Sequence, residues 1–236
     1  MMLNETILSN SRFFFDFDNT ITTSDVLDDI IKEFSINEDW LLLEKAWEEG
    51  RIGTKECLQG QLKNVWVSKK ELRSFLKNIE IDPFFHPLLS FLRKEGTQPV
   101  ILSDNFTFII ESILENHGIK NLPVYANRLD FFRDRLVPSF PYDNPLCPSC
   151  AHCKKIHLTP EKVAEKTIVY VGDGRSDLCP ARVSDVVFAK DSLLKYLTQE
   201  GRSFIPYANL GNIYEYFEVS EGLVVERTSH YQLSPA

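Results

Sequence analysis

The chain has 236 residues, 43% of them hydrophobic and 25% charged, which suits one large globular domain or a domain with a small insertion. Its net charge of −8 speaks against nucleic acid or an anionic membrane as a partner, so an anionic substrate would need local attraction. Met1–Asn10 shows no secretory signal pattern, no apolar stretch approaches a membrane span, and Ser234–Ala236 carries no retention or lipidation signal. We therefore expect a cytoplasmic protein, either a monomer or a homodimer.

The first predicted element is a buried parallel strand at Phe13–Phe15, and it stops at two carboxylates, Asp16 and Asp18. In an open α/β sheet, ligands bind beyond the carboxyl ends of the strands. Two acids placed this close repel each other unless positive charge lies between them. The pattern therefore predicts a divalent metal beside a phosphate-binding site.

Residues 22–96 are predicted to form a small helical domain inserted after this strand. Its first helix follows Ser24 as an N-cap, and a capping box at Ser68 and Glu71 begins a later one. The last helix runs to Gly96. Aromatic residues at helical spacing in this region are expected to form its core rather than a ligand site.

Residues 1–21 and 97–236 are predicted to form the core domain. Strand and helix signals alternate after residue 97, which predicts a doubly wound, Rossmann-like parallel sheet and an α/β fold. The predicted strands and hairpin are Pro99–Ser103, Pro123–Ala126, the hairpin Leu129–Phe140, Thr167–Gly172 and Asp185–Ala189.

The five cysteines are an odd number without a signal peptide, which speaks against a disulfide framework. Cys147, Cys150 and Cys153 nevertheless have the spacing of metal ligands, and with His152 or His157 they could hold a structural zinc ion. The alternative is three reduced thiols in a turn around a functional lysine.

Four segments occur in a fixed order: an acid pair and threonine at Asp16–Thr20, a hydroxyl at Ser103, Lys154, and the glycine-flanked acids of Gly172–Asp177. Three of the four end predicted strands. Together they resemble the haloacid dehalogenase superfamily of aspartyl phosphatases, and the resemblance covers nearly the whole chain. The helical insertion resembles the small cap of the phosphoserine-phosphatase-like branch.

This resemblance implies a role for each acid of the site. Asp16 would be the nucleophile and form an aspartyl phosphate, while Asp18 would act as general acid and then base. Mg²⁺ would be bound by Asp16, by the backbone carbonyl of Asp18 and by Asp173, and Asp177 is counted with them as a metal-site residue. Asp177 would orient Lys154 or a metal-bound water, and Lys154 would neutralise charge on the phosphoryl group.

The phosphate is expected to bind Ser103 and nearby groups of Asp104, Asn105 and Gly174. A serine in this position is often only an N-cap, which is the alternative. Many relatives carry glycine where Asn105 stands, so the local loop geometry departs from the family pattern. Lys155 is a rival to Lys154 for the catalytic lysine.

Four stretches are similar to one subgroup, the 2-hydroxy-3-keto-5-methylthiopentenyl-1-phosphate phosphatases of methionine salvage: Asp16–Asp25, Ala46–Gly53, Leu122–Leu129 and Val187–Lys190. The resemblance implies a small soluble phosphomonoester as substrate. Asp25 stands where phosphoserine phosphatases carry a glutamate that reads the substrate amine, and its alternative role is an ordinary helix first-turn acid. No arginine lies between Gly53 and Trp66, which weakens phosphoserine itself as the substrate.

Two other classes of function stay open. One is a dehalogenase or phosphotransferase on the same core, although halide leaves without a proton and would not need Asp18. The other is a non-catalytic phosphoacceptor module, which also uses paired acids and a lysine but has no helical cap.

Overall fold

The computed structural model describes residue 8, residues 10–147 and residues 149–222. The expectations for Ser234–Ala236 and for most of Met1–Asn10 lie outside these residues. Within the described part of the chain, no helix combines the length and the apolar character that crossing a bilayer requires.

The described residues form one seven-stranded sheet with the strand order β4-β3-β2-β1-β5-β6-β7. All neighbouring strands are parallel except β3 and β4, which form an antiparallel hairpin. The first strand, β1, lies at the centre, and Phe13, Phe14 and Phe15 are all buried because helices cover both faces of the sheet. The strands are β1 (Ser11–Phe15), β2 (Val100–Phe106), β3 (Val124–Phe132), β4 (Arg135–Ser139), β5 (Thr167–Gly172), β6 (Val186–Ala189) and β7 (Ile205–Pro206).

Helices lie in the connections between these strands, except in the β3–β4 hairpin, which confirms the predicted doubly wound α/β fold. Five of them, α1 to α5, lie between β1 and β2 in the chain. The α-helices are α1 (Val26–Phe34), α2 (Trp40–Glu48), α3 (Thr54–Leu62), α4 (Lys69–Phe75), α5 (Phe85–Lys94), α6 (Thr107–Asn116), α7 (Lys155–Val163), α8 (Leu178–Ala181), α9 (Asp191–Gln199) and α10 (Leu210–Gly222). Short 3₁₀ turns occupy Leu76–Asn78 and Arg175–Asp177.

The helix ends follow local capping chemistry. The predicted capping box is confirmed, since the Glu71 carboxylate accepts from the backbone N–H of Ser68 at 3.0 Å. The prediction that Ser24 caps α1 is wrong, because Asp25 is the N-cap and its carboxylate accepts from the N–H of Asp28 at 3.0 Å. The Ser24 hydroxyl instead donates to Asp29 at 2.7 Å.

Strand β2 differs from its prediction. It runs three residues past Ser103 to the buried Phe106, and its pairing with β3 is irregular between Leu102 and Phe106. Asn105 lies in this extended stretch and has no positive φ, so it does not adopt the glycine-like backbone considered from the sequence. The predicted hairpin is confirmed, although its first strand already begins at Val124 and includes the short strand expected there.

The chain passes from the sheet to α1 through Thr22 and returns from α4 through Ile81. These two residues pair in an antiparallel bridge. Helix α5 packs against α10, and its Phe85 ring meets Phe15 of the central strand edge to face, with ring centroids 6.2 Å apart. The division at residues 22 and 96 stays a prediction.

Candidate active site

The predicted acids gather at the carboxyl ends of the central strands. Asp16 follows β1, and its N–H donates to Val171 of β5 at 2.9 Å, so its backbone continues the parallel pairing. Asp173 follows β5 directly, and Ser103 lies in β2 on the other side of β1. Rigid hydrogen-bonded strands therefore fix the positions of these side chains.

Lys154 lies at the centre of the site although it comes from the loop before α7. Its ammonium donates to Asp16 Oδ1 at 2.7 Å, to Asp177 Oδ1 at 2.6 Å and to the Ser176 hydroxyl at 3.1 Å. Lys154 is 2% exposed, whereas its rival Lys155 is exposed to solvent. Burial alone would lower the pKa of Lys154, but Asp16 and Asp177 outweigh it and hold this pKa above its usual value.

Both oxygens of the Asp177 carboxylate are occupied by donors. Oδ1 accepts from Lys154 and from the Tyr170 hydroxyl at 2.6 Å, and Oδ2 accepts from the backbone N–H groups of Asp173 and Gly174 at 3.0 Å each. Four hydrogen bonds match the full acceptor capacity of a carboxylate. Asp177 therefore acts as a fixed hydrogen-bond acceptor that holds both the lysine and the glycine-rich turn in place.

One ammonium faces three carboxylates in this cluster. Ligand oxygens of Asp16, Asp173 and Asp177 lie within 4.8 Å of one another. Burial and the charge of Asp177 raise the pKa of Asp16 well above its usual value, although Lys154 opposes this. The same two causes raise the pKa of Asp173 to about 7. Such an excess of negative charge fits a hard divalent cation such as Mg²⁺.

Asp18 is held outside this cluster. Its carboxylate accepts from the Asn105 side-chain amide at 2.9 and 3.1 Å and from the backbone N–H of Val26 at 3.1 Å, at the start of α1. Burial and the nearby charge of Asp25 raise the pKa of Asp18 well above its usual value. A carboxyl group whose pKa is raised and whose direction is fixed is suited to donate a proton.

The residues predicted to bind phosphate have different surroundings. The Ser103 hydroxyl accepts from the Asn105 N–H at 3.0 Å and lies 3.4 Å from Asp18. Asp104 Oδ1 accepts from the backbone of His152 at 2.7 Å, and burial raises the pKa of Asp104 to about 6. The N–H of Gly174 is directed at Asp177 and not at the cavity. Asn105 thus acts on Asp18 in this geometry, a contact that the sequence reasoning missed.

A cavity of about 200 Å³ lies between this cluster and helices α1 to α3. Its helical wall combines apolar and acidic side chains, and Arg175 is the basic side chain among its lining residues. Arg175 donates to the backbone carbonyl of Trp47 at 3.0 Å, which joins the glycine-rich turn to α2. The helical wall consists of Leu27, Asp28, Glu44, Trp47, Thr54, Cys57, Leu58 and Gln61, with Asp25 at the start of α1.

The cysteine set predicted for zinc is not brought together. Sγ atoms of Cys147 and Cys150 lie 3.8 Å apart, but the Cys153 sulfur lies against the Asn144 amide at 3.7 Å. His152 is turned away toward Ser103 and contacts His157. Cys153 directly precedes Lys154, so the path that buries the lysine also carries this thiol away from the other two.

Three further residues of the site escaped the sequence reasoning. Ser176 and Arg175 occupy the variable positions between Gly174 and Asp177, where no residue type was expected. Tyr170 was assigned only to a buried strand, yet a buried tyrosine hydroxyl requires a hydrogen-bond partner, and that rule points to a nearby acid.

A profile of the family described as Putative Phosphatase matches residues 12–204 of the chain. The chain is 29% identical over 185 residues to the 2-hydroxy-3-keto-5-methylthiopentenyl-1-phosphate phosphatase of Brevibacillus brevis, which covers 76% of this chain and 82% of that protein. It is 27% identical over 170 residues to the phosphoserine phosphatase of Bos taurus, covering 70% of this chain and 76% of that one.

Among solved structures, the fold is similar to a phospho-aspartyl intermediate analogue of phosphoserine phosphatase. The TM-score is 0.67 at 20% sequence identity, and the superposition covers 87% of this chain and 98% of that chain. At this identity the likeness concerns the fold.

Proposed function

The chain belongs to the Putative Phosphatase family and is a phosphatase of the haloacid dehalogenase superfamily, and we propose that it hydrolyses a small phosphomonoester through a phosphorylated Asp16. The observation that carries this proposal is the position of Lys154 Nζ. It contacts Asp177 and Asp16, and Asp16 lines the cavity together with Asp18 and Asp173.

The first half of the reaction forms a covalent intermediate. A carboxylate oxygen of Asp16 attacks phosphorus while the bond from phosphorus to the leaving oxygen breaks. Asp18 donates its proton to that leaving oxygen, which departs as an alcohol. Lys154 stabilises the negative charge on the phosphoryl oxygens, and its charge favours the ionised form of Asp16 against the effect of burial.

The second half releases phosphate. Asp18, now a carboxylate, removes a proton from a water molecule that attacks phosphorus, and the bond from phosphorus to Asp16 breaks. Asp18 thereby regains its proton and Asp16 its free carboxylate, so the site returns to its starting state. The Asn105 amide and the Val26 N–H hold Asp18 in one direction through both proton transfers.

Asp16, Asp173 and the backbone carbonyl of Asp18 would hold Mg²⁺, which supplies positive charge to the phosphoryl group when bound. The four donors on Asp177 argue that it positions Lys154 and is not itself a metal ligand. Zinc at Cys147, Cys150 and Cys153 forms no part of this proposal.

The first candidate substrate is 2-hydroxy-3-keto-5-methylthiopentenyl 1-phosphate, the substrate in the names of several relatives. Leu27, Leu58 and Trp47 in the cavity wall suit its methylthio end, and the cavity volume suits a small molecule. The second candidate is a phosphorylated amine, because Asp28 of α1 and Glu44 of α2 in the cavity wall would attract its positive charge. Those acids oppose a second anionic group, such as the carboxylate of phosphoserine.

The test is phosphate release from a panel of small phosphomonoesters in Mg²⁺, with and without a chelator, using Asp16→Asn protein as the blank. We expect turnover that needs Mg²⁺ and the carboxylate of Asp16. We also expect kcat/KM to be lower for phosphoserine than for a phosphorylated amino alcohol or for the phosphate ester of an uncharged sugar. Equal rates for wild type and Asp16→Asn protein would refute the covalent route. Absence of turnover on every ester would favour a phosphoacceptor module.

A cytoplasmic location, a monomeric or homodimeric state, and the absence of nucleic-acid and membrane partners stay predictions.

A further inference from the structure

Two histidines lie in direct contact behind the phosphate-binding end of β2. His152 Nε2 and His157 Nε2 are 2.8 Å apart, and His152 Nδ1 lies 2.9 Å from the backbone carbonyl oxygen of Ser103. His152 is 1% exposed, and its ring stacks on Tyr142 with ring centroids 4.7 Å apart. The His157 ring stacks on Tyr125 at 4.4 Å. The proposed mechanism uses neither imidazole.

These contacts fix the positions of the ring protons. A carbonyl oxygen only accepts, so His152 Nδ1 carries a proton and donates it to Ser103. Burial lowers the pKa of His152 to about 3 and the pKa of His157 to about 4, so both rings are neutral at pH 7. His152 Nε2 is therefore an acceptor, and His157 Nε2 carries the proton that it receives.

His152 also fastens the loop that supplies the catalytic lysine. Its backbone N–H donates to Asp104 Oδ1 at 2.7 Å, and its carbonyl accepts from the N–H of Lys154 at 2.9 Å. Side chain and backbone of one residue thus connect Ser103 and Asp104 to the peptide that precedes Lys154. The chain of hydrogen bonds ends at a carbonyl, which cannot pass a proton on, so a relay into the cavity is excluded.

We propose that His152 and His157 form a positioning pair: His157 holds His152 in the Nδ1–H tautomer, and His152 fixes Lys154 relative to Ser103 and Asp16. The inference rests on the proposed function for its kinetic consequence, but its hydrogen-bond arrangement is testable without any substrate. Loss of this arrangement would shift the Lys154 ammonium from its 2.7 Å contact with Asp16.

The first experiment is side-chain ¹⁵N NMR of the uniformly labelled protein at neutral pH, with assignment by the two histidine variants. The expected spectrum shows His152 as the neutral Nδ1–H tautomer and His157 as the neutral Nε2–H tautomer. An Nε2–H tautomer or a charged ring at His152 would overturn the inference whether or not the protein hydrolyses any ester.

The second experiment compares His157→Gln with His157→Leu. Glutamine places an amide N–H near the position of Nε2, whereas leucine removes the donor and leaves His152 Nε2 buried without a partner. We expect kcat for p-nitrophenyl phosphate to fall roughly tenfold in His157→Leu, with KM changed less than about twofold, because misplaced catalytic groups lower kcat. In His157→Gln we expect kcat to recover largely.

His117→Leu is the matched control. His117 is also half-buried, it caps the C-terminal end of α6, and its Nε2 lies 2.8 Å from the carbonyl of Ile79. We expect a similar loss of thermal stability in the two leucine variants but a fall in kcat only in His157→Leu. Equal kcat values in wild type, His157→Leu and His117→Leu would overturn the positioning role, while the proposed function would still stand on the activity of the wild type.

Discussion

Replacing Lys154 by methionine tests the electrostatic centre of the site. Methionine has similar length and no charge, so it leaves Asp16 and Asp177 buried without the ammonium that lies 2.7 and 2.6 Å from them. Removing one partner of a buried ion pair costs about 3–5 kcal/mol, because the remaining charge has no counter-ion. We expect the free energy of unfolding at neutral pH, measured by urea titration with a chelator present, to fall by about this amount.

The same variant should lose activity. Losing one preorganised donor to a developing negative charge lowers kcat by roughly 10²–10³-fold, and Lys154 acts on both the phosphoryl group and Asp16. The matched control is Lys155→Met, the next residue along the loop, which is exposed and makes no ion pair among those that the described residues form. We expect its stability to stay within about 0.5 kcal/mol of wild type and its kcat to be unchanged.

The loss of stability in Lys154→Met should depend on pH, and the pKa of Asp16 gives the direction of that dependence. The folded-state pKa of Asp16 is raised mainly by burial, and loss of the opposing Lys154 charge raises it further. A carboxyl with a raised folded pKa contributes stability that is present at low pH and lost as pH rises through that pKa. The deficit of Lys154→Met should therefore grow as pH rises and shrink as pH falls. A deficit under about 1 kcal/mol at neutral pH, or kcat within tenfold of wild type, would refute this account.

Further predictions concern the remaining site residues. Asp16→Asn should abolish turnover of p-nitrophenyl phosphate and keep the wild-type circular dichroism spectrum, so a rate near wild type would contradict a covalent intermediate. Asp18→Asn should slow alkyl phosphates more than p-nitrophenyl phosphate, whose leaving group needs no proton, and equal slowing would speak against a general acid. Mg²⁺ should raise the melting temperature, because binding at a concentration of 100 times Kd adds about 2.7 kcal/mol to the free energy of unfolding. Asp173→Asn should remove most of this gain. Serine at both Cys147 and Cys150 should leave the chemical step intact, whereas unfolding with loss of bound zinc would show a structural metal site.

The site could be predicted where chemistry follows directly from strand ends. An apolar strand that stops at Asp16 and another that stops at Asp173 must place both acids at one edge of a parallel sheet. Sequence spacing also separated the helical segment from the α/β alternation and placed the capping box at Ser68. These features are local, or follow from a period of two or 3.6 residues, so a single sequence contains them.

The sequence by itself determined the sheet, the helical insertion and the set of acids around a lysine. Only the tertiary structure decided that Asn105 holds Asp18, that Tyr170 and two backbone N–H groups saturate Asp177, and that Cys153 leaves the other thiols. Each of these arrangements involves residues whose spacing carries no periodic signal. Their partners are selected by the demand that buried polar groups be hydrogen-bonded, which operates only after the chain has folded.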